Sequence, residues 1–254
     1  MGTDPTRRQF LSAAGTALGL AALGAATAAC NRNTTLNPLE WKPLPTLAPT
    51  PTPRAQAPLS GSDALTRLLE GNRRFVESRL THPNQSEAQR MLVAGRQMPF
   101  ASILCCADSR VPPELLFDQG LGDLFVLRVA GNVLNPNLLA SLEYAAEHLH
   151  TPLLMVLGHK RCGAVKAALE ALTAQAAAPG HLQSLVNALR SPVQAVLPAA
   201  DEAALDQAIR LNVAHVLRQI TDRSHLLARL VEERKLQLVG GYYDLDSGVV
   251  ELIG

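Results

Sequence analysis

The sequence predicts an α/β domain with a mostly parallel β-sheet flanked by helices, and three observations carry the prediction. Short apolar runs of strand length occur at Ala101–Cys106, Leu124–Val129 and Leu153–Leu157. Residues with helical apolar spacing separate them, and the residues richest in chemistry follow directly where the first and third runs end. Strands buried on both faces read as continuous apolar runs, and ligands of such sheets gather beyond the carboxyl ends of the strands. The chain has 254 residues, 47% hydrophobic and 18% charged, which suffices for one domain with a sizeable core. A formal net charge of +1, 4% aromatic content and no basic run interleaved with aromatics speak against a nucleic-acid partner.

The elements follow in chain order. Residues 1–30 form an export signal: Arg7 and Arg8 precede Gln9-Phe10-Leu11, and a weakly apolar Ala/Gly/Leu stretch runs from Ser12 to Ala29. The arginine pair resembles the twin-arginine type, which carries proteins across a membrane already folded. Two endings stand. Ala26-Thr27-Ala28 offers a cleavage site that releases a soluble protein, whereas Thr27-Ala28-Ala29-Cys30 resembles a lipobox in which Cys30 is lipidated and tethers the chain to a membrane. Residues 31–60 form a linker with seven prolines, Pro38 to Pro58, a composition that favours extended polyproline II over a core.

Residues 61–254 form the folded domain. Leu65, Leu68, Leu69, Phe75 and Val76 have the spacing of an amphipathic helix capped by Ser62 or Asp63. Helical periodicity returns from Asn137 to His150, and Gly163-Ala164-Val165-Lys166 starts a helix directly after Cys162. Helices are predicted at Leu182–Leu197, Glu202–Ile220 and Arg223–Arg234, and a C-terminal hairpin pairs Leu236–Tyr243 with Val249–Ile253 around Asp246-Ser247-Gly248.

Cys106-Ala107-Asp108-Ser109-Arg110 ends the first strand, and His159-Lys160-Arg161-Cys162 follows the third. Two thiolates and an imidazole suit one tetrahedral Zn²⁺, and a site with three protein ligands keeps a fourth position for water, as a catalyst using water requires. Asp108 stands where it can aim such a water, and Arg110 where it can hold Asp108. Cys105 alternates with Cys106 along the strand and is expected on the opposite face as a buried apolar residue. His82, His148, His150, His181, His215 and His225 titrate in the range of a proton shuttle, and no spacing selects among them.

Cys106-x-Asp108-Ser109-Arg110 with His159-x-x-Cys162 resembles the signature of the β-class carbonic anhydrases. The resemblance runs from about Ser62 to Gly254 and includes Gly122–Asn132, Ser141–Tyr144, Gly158–Ala164 and Val239–Asp246. It implies one zinc per subunit held by Cys106, His159 and Cys162, and reversible hydration of CO2 to bicarbonate and a proton by a zinc-bound hydroxide. It implies Asp108 and Arg110 as the catalytic dyad, with Asp108 a fourth zinc ligand in an inactive state. Gln97, Phe125, Ala130, Tyr144 and Gly163 fall at substrate-pocket positions, with Phe125 and Tyr144 serving the neighbouring subunit of a homodimer or higher even oligomer. With the leader, it implies a periplasmic or membrane-anchored enzyme. Two alternatives stay open at this level: a CS2/COS hydrolase on the same fold, and a non-catalytic zinc- or redox-sensing protein.

Overall fold

A computed structural model describes residues 59–253; the leader with Cys30 and most of the linker lie outside the described residues. Helix α1 (Gly61–Val76) opens the domain, capped by Ser60 rather than Ser62 or Asp63. Ser60 Oγ accepts from the Asp63 amide at 3.1 Å, and the Asp63 carboxylate accepts from the Ser60 amide at 3.4 Å, a reciprocal capping box. The apolar period begins inside the helix, so spacing alone sets its start too late. Helix α2 (Glu87–Val93) was not predicted, because it buries no residue and so shows no apolar stripe. The one-turn α3 (Pro113–Leu116) is too short for periodicity to register.

Five strands form one sheet in the order β2-β1-β3-β4-β5. They are β1 (Ala101–Cys105), β2 (Leu124–Arg128), β3 (Leu153–His159), β4 (Gln237–Tyr243) and β5 (Val250–Ile253). The first four pair in parallel, and β5 closes the edge as the antiparallel arm of the predicted hairpin. β3 runs two residues beyond its apolar run, because β4 is long enough to pair Gly158 with Tyr242 and His159 with Tyr243. His159 is thus the last residue of a strand rather than the first of a loop. From β1 the chain crosses to β2 on one side, then returns past β1 to β3 on the other. That reversal makes the carboxyl ends of β1 and β3 a switch point, where a parallel sheet opens a crevice.

Helix α4 (Pro136–Glu147) starts on an Asn135 cap, whose Oδ1 accepts from the Leu138 amide at 3.0 Å, with Pro136 in the first turn. Helix α5 (Gly163–Thr173) is capped by Cys162. The predicted helix over Leu182–Leu197 is instead two short ones, α6 (Leu182–Ala188) and α7 (Arg190–Gln194), hinged at Leu189. Pro192 accounts for the break: its ring clashes with the carbonyl four residues back, at Ala188, and it has no N–H to donate there. Helices α8 (Glu202–Arg223) and α9 (His225–Glu232) meet at Ser224, whose Oγ accepts from the Leu227 amide at 3.1 Å.

Strand alternation divides the core. Ile103, Cys105, Met155 and Leu157 pack toward Ala64 and Leu68 of α1 and Phe117. Leu104, Leu154 and Val156 pack toward Leu142 of α4 and Val213, Val216 and Ile220 of α8. Cys106 belongs to a third cluster with Val165 and Ile209, so the adjacent cysteines face apart. Burial pushes the Cys105 thiol up to about 12, which leaves it an inert packing residue.

Asp118 ties α1 to the following loop. Its side chain, 1% exposed, accepts from Arg74 Nε at 2.6 Å, from the Thr81 amide and hydroxyl, and from the His82 amide. These bonds outweigh the upward push of burial and hold the carboxyl well below its ordinary range. A depressed folded-state pKa adds stability that is present above the unfolded value near pH ~4 and is lost as pH falls through the folded value. Asp118→Asn is therefore expected to lower stability by about 2–3 kcal/mol at pH 7. In urea unfolding, the gap between variant and wild type should narrow below pH ~4.

Candidate metal centre

The parallel pairing of β1 and β3 sets their carboxyl ends side by side, with Cys105 opposite Leu157, and so delivers Cys106 and His159 to one crevice. Cys162 enters at the cap of α5 after a tight turn in which Arg161 takes φ 54°. One ligand atom from each of Cys106, His159 and Cys162 lies within 4.8 Å of the others, and all three residues are buried. Cys106 Sγ and Cys162 Sγ are 4.0 Å apart. Zinc–sulfur bonds of about 2.3 Å at tetrahedral angles place two sulfurs about 3.8 Å apart, so the spacing fits the metal.

The imidazole supplies a second test of fit. His159 is 0% exposed, and its Nδ1 lies 3.0 Å from the Lys160 carbonyl oxygen. A carbonyl only accepts, so Nδ1 carries the proton and Nε2 presents its lone pair. Nε2 is buried with no hydrogen-bond partner. A buried acceptor left unpaired is costly, and a metal ion is the partner that this donor set calls for.

Between the thiols alone one proton is shared. The Cys162 thiol donates to Cys106 and, with the Gly131 N–H, holds Cys106 well below the ordinary thiol range against the opposing effect of burial. The same bond to Cys106, with burial, pushes Cys162 up, although the first-turn amides of Val165 and Ala164 pull the other way. Binding a divalent cation displaces that last proton.

Asp108 lies beside this triad, its Oδ2 3.9 Å from His159 Nε2. Arg110 engages it in a fork: Nε donates to Oδ1 at 2.9 Å and an Nη to Oδ2 at 2.8 Å, while the Arg110 amide adds a bond to Oδ1 at 3.0 Å. These bonds, Arg110's side chain foremost, hold the carboxyl well below the usual carboxylate range. Asp108 is thus paired with arginine, outside the cluster of three ligand atoms. Arg128 at the end of β2 braces the same loop, donating from Nε to the Cys106 carbonyl at 3.1 Å and from an Nη to the Asp108 carbonyl at 2.6 Å.

The pocket positions are divided within one subunit. Ala130 starts a short turn beside Cys106, and Gly163 opens α5 with open space beside it. Gln97 precedes β1 and stands at the opposite end of that strand, about 15 Å away at strand rise. It lines an open groove of about 440 Å³ with Met98, Tyr144 and His148. Phe125 pairs with Ser102 near that end and has its ring 6.2 Å from Tyr144, which in turn lies 5.2 Å from His148. Gln97, Phe125 and Tyr144 therefore share an edge-strand surface, and only Ala130 and Gly163 flank the metal ligands of their own chain. Sequence spacing does not reveal this split, because it arises from the direction of β1. The contacts of Arg128, Gly131 and Asn212 around the ligands were also missed; the one available signal was a polar Asn212 on the apolar stripe Ile209, Val213, Val216.

Comparison with known proteins bears on this geometry. The family described as "Carbonic anhydrase" matches residues 101–250. Carbonic anhydrase 2 of Mycobacterium tuberculosis is 41% identical over 182 residues, covering 71% of this chain and 87% of the relative. A β-carbonic anhydrase from Coccomyxa, solved in complex with acetazolamide, superposes with a TM-score of 0.60 at 28% identity, covering 74% of this chain and 86% of that one. One of two tetrameric β-carbonic anhydrases from Sordaria macrospora does so with a TM-score of 0.58 at 25% identity, covering 64% and 84%.

Cys162→Ser is expected to weaken zinc binding by more than ~100-fold, beyond the loss typical of outer-shell changes, while helix content stays near wild type. Competition with a chromophoric chelator measures the affinity, and far-ultraviolet circular dichroism checks the fold.

Proposed function

The chain belongs to the β-class carbonic anhydrases, zinc-using lyases, and from that premise we propose that Cys106, His159 and Cys162 hold the zinc while Asp108 and Arg110 direct water onto CO2. The observation that carries the reading is Asp108, gripped by Arg110 through both oxygens and with its Oδ2 3.9 Å from His159 Nε2. When bound, zinc supplies the Lewis acidity that makes water a nucleophile near neutral pH. Asp108 remains ionised and accepts a hydrogen bond from the attacking water, which turns the oxygen lone pair toward the carbon of CO2. Arg110 fixes the carboxylate and keeps it from competing as a ligand. The Gly163 amide, at the positive end of α5, stands ready to donate to an oxygen of the developing bicarbonate.

Gln97, Phe125 and Tyr144 serve the pocket of a neighbouring subunit in an even oligomer, and their shared exposed edge supports that assignment. Tyr144 is 46% exposed beside Phe125 and His148, which leaves its ring open to a neighbouring subunit. Localisation follows from the leader: Arg7 and Arg8 before an Ala/Gly-rich stretch support export of the folded, metal-loaded enzyme, with Cys30 a candidate lipid attachment site. Among the described residues no helix is long and apolar enough to cross a membrane.

Two experiments test the reading. Asp108→Asn should keep one zinc per subunit and lower kcat for CO2 hydration by about 10²–10⁴, read by stopped-flow with a pH indicator; undiminished kcat would remove Asp108 from the reaction. Changing Arg7 and Arg8 to Lys should leave the protein in the cytoplasmic fraction, and normal export would rule out the twin-arginine route.

A further inference from the structure

We infer that Asn212, on helix α8 and distant in sequence from every proposed ligand, is a positioning residue for the metal site and acts through the Gly131 amide on the sulfur of Cys106. Three observations converge on it. Asn212 is 1% exposed on an otherwise apolar helix face, and its Nδ2 donates to the Gly131 carbonyl oxygen at 2.9 Å. The Gly131 N–H in turn donates to Cys106 Sγ at 3.3 Å. The turn that aims this amide is conformationally demanding, since Gly131 has φ 69° and Asn132 φ 40°. An added Cβ at Gly131 would lie 3.2 Å from both Ala164 Cβ and Leu189 Cδ1, so neither freedom nor space permits another residue there without adjustment.

Stability alone does not account for the arrangement. Asn212 Oδ1 is buried without a partner, so the amide uses only its donor half, and that half goes to the turn at Gly131. Packing nevertheless brings α8 to this spot: Gly158, next to His159, has no side chain, and a Cβ there would come within 2.7 Å of Val213 Cγ2. The close approach of α8 to β3 lets one amide side chain hold the turn that holds the ligand. An N–H···S bond draws charge from a thiolate, so the Gly131 amide weakens sulfur donation to the metal and leaves the metal the stronger Lewis acid. This rests on the reading of Cys106 as a ligand.

The test is the full-length protein with Co²⁺ in place of zinc. Asn212→Leu, which keeps the branched side-chain shape and removes the donor, should shift the thiolate-to-cobalt charge-transfer band to longer wavelength, because a sulfur relieved of the N–H···S bond gives up charge more easily. Val216→Ala, a cavity on the same helix face, should lower thermal stability and leave the band unchanged. Asn212→Ser, whose hydroxyl is too short to reach the Gly131 carbonyl, carries the same expectation if the leucine variant does not fold. An unshifted band in the Asn212 variants, or an equal shift in Val216→Ala, would overturn the inference. Absence of any thiolate charge-transfer band in the wild type would instead overturn the ligand assignment beneath it.

Discussion

The parallel pairing of β1 with β3 is the constraint on which the site depends. Neither Cys106 nor His159 could meet a metal from an isolated strand, and no local turn connects them across more than fifty residues. The register that sets Cys105 against Leu157 brings both to the same level of the sheet, and the tight turn after His159 adds Cys162 from a helix cap. The ligand set is thus assembled mainly by sheet topology, which is secured by the apolar runs on both faces. Placing it at a strand-order reversal also opens the crevice through which a small substrate can enter.

Charge explains why a carboxylate and an arginine accompany the ligands. Two thiolates nearly cancel the charge of Zn²⁺, which reduces its pull on water compared with an all-histidine set. A free carboxylate at that distance would be a competing ligand. Three hydrogen bonds from Arg110 keep Asp108 ionised and paired with arginine, outside the cluster of three candidate ligand atoms. Arg128 contributes differently, by fixing the Cys106 and Asp108 carbonyls and with them the loop that carries both residues.

Much of this was legible in the sequence, for identifiable reasons. The apolar runs named three strands, and the ligand types with their spacing named the metal, because both signals are local. What was not legible depends on partners remote in sequence. His159 reads as a loop residue until β4 supplies its pairing partner Tyr243. The break at Leu189 was in principle readable from Pro192, but the surrounding apolar spacing masked it. Ser60 was passed over because a capping box precedes the periodic residues that mark a helix. Gln97, Phe125 and Tyr144 carry family positions in the sequence, yet their separation from the ligands of their own chain is a property of strand direction.

Asn212 shows how a departure from pattern can be read. A helix packed on a sheet stabilises most when its buried stripe is apolar, and Ile209, Val213, Val216 and Ile220 follow that rule. A single buried amide in the stripe works against stability unless something beyond packing holds it there. Here its one good hydrogen bond goes to the carbonyl of the residue whose N–H meets the Cys106 sulfur. A fold that must use two thiolates can recover some metal acidity by drawing charge from sulfur through a backbone donor, and a backbone donor keeps its aim only if its turn is held from behind. The helix that covers the sheet supplies that hold, so core packing and the chemistry of the metal meet in one side chain.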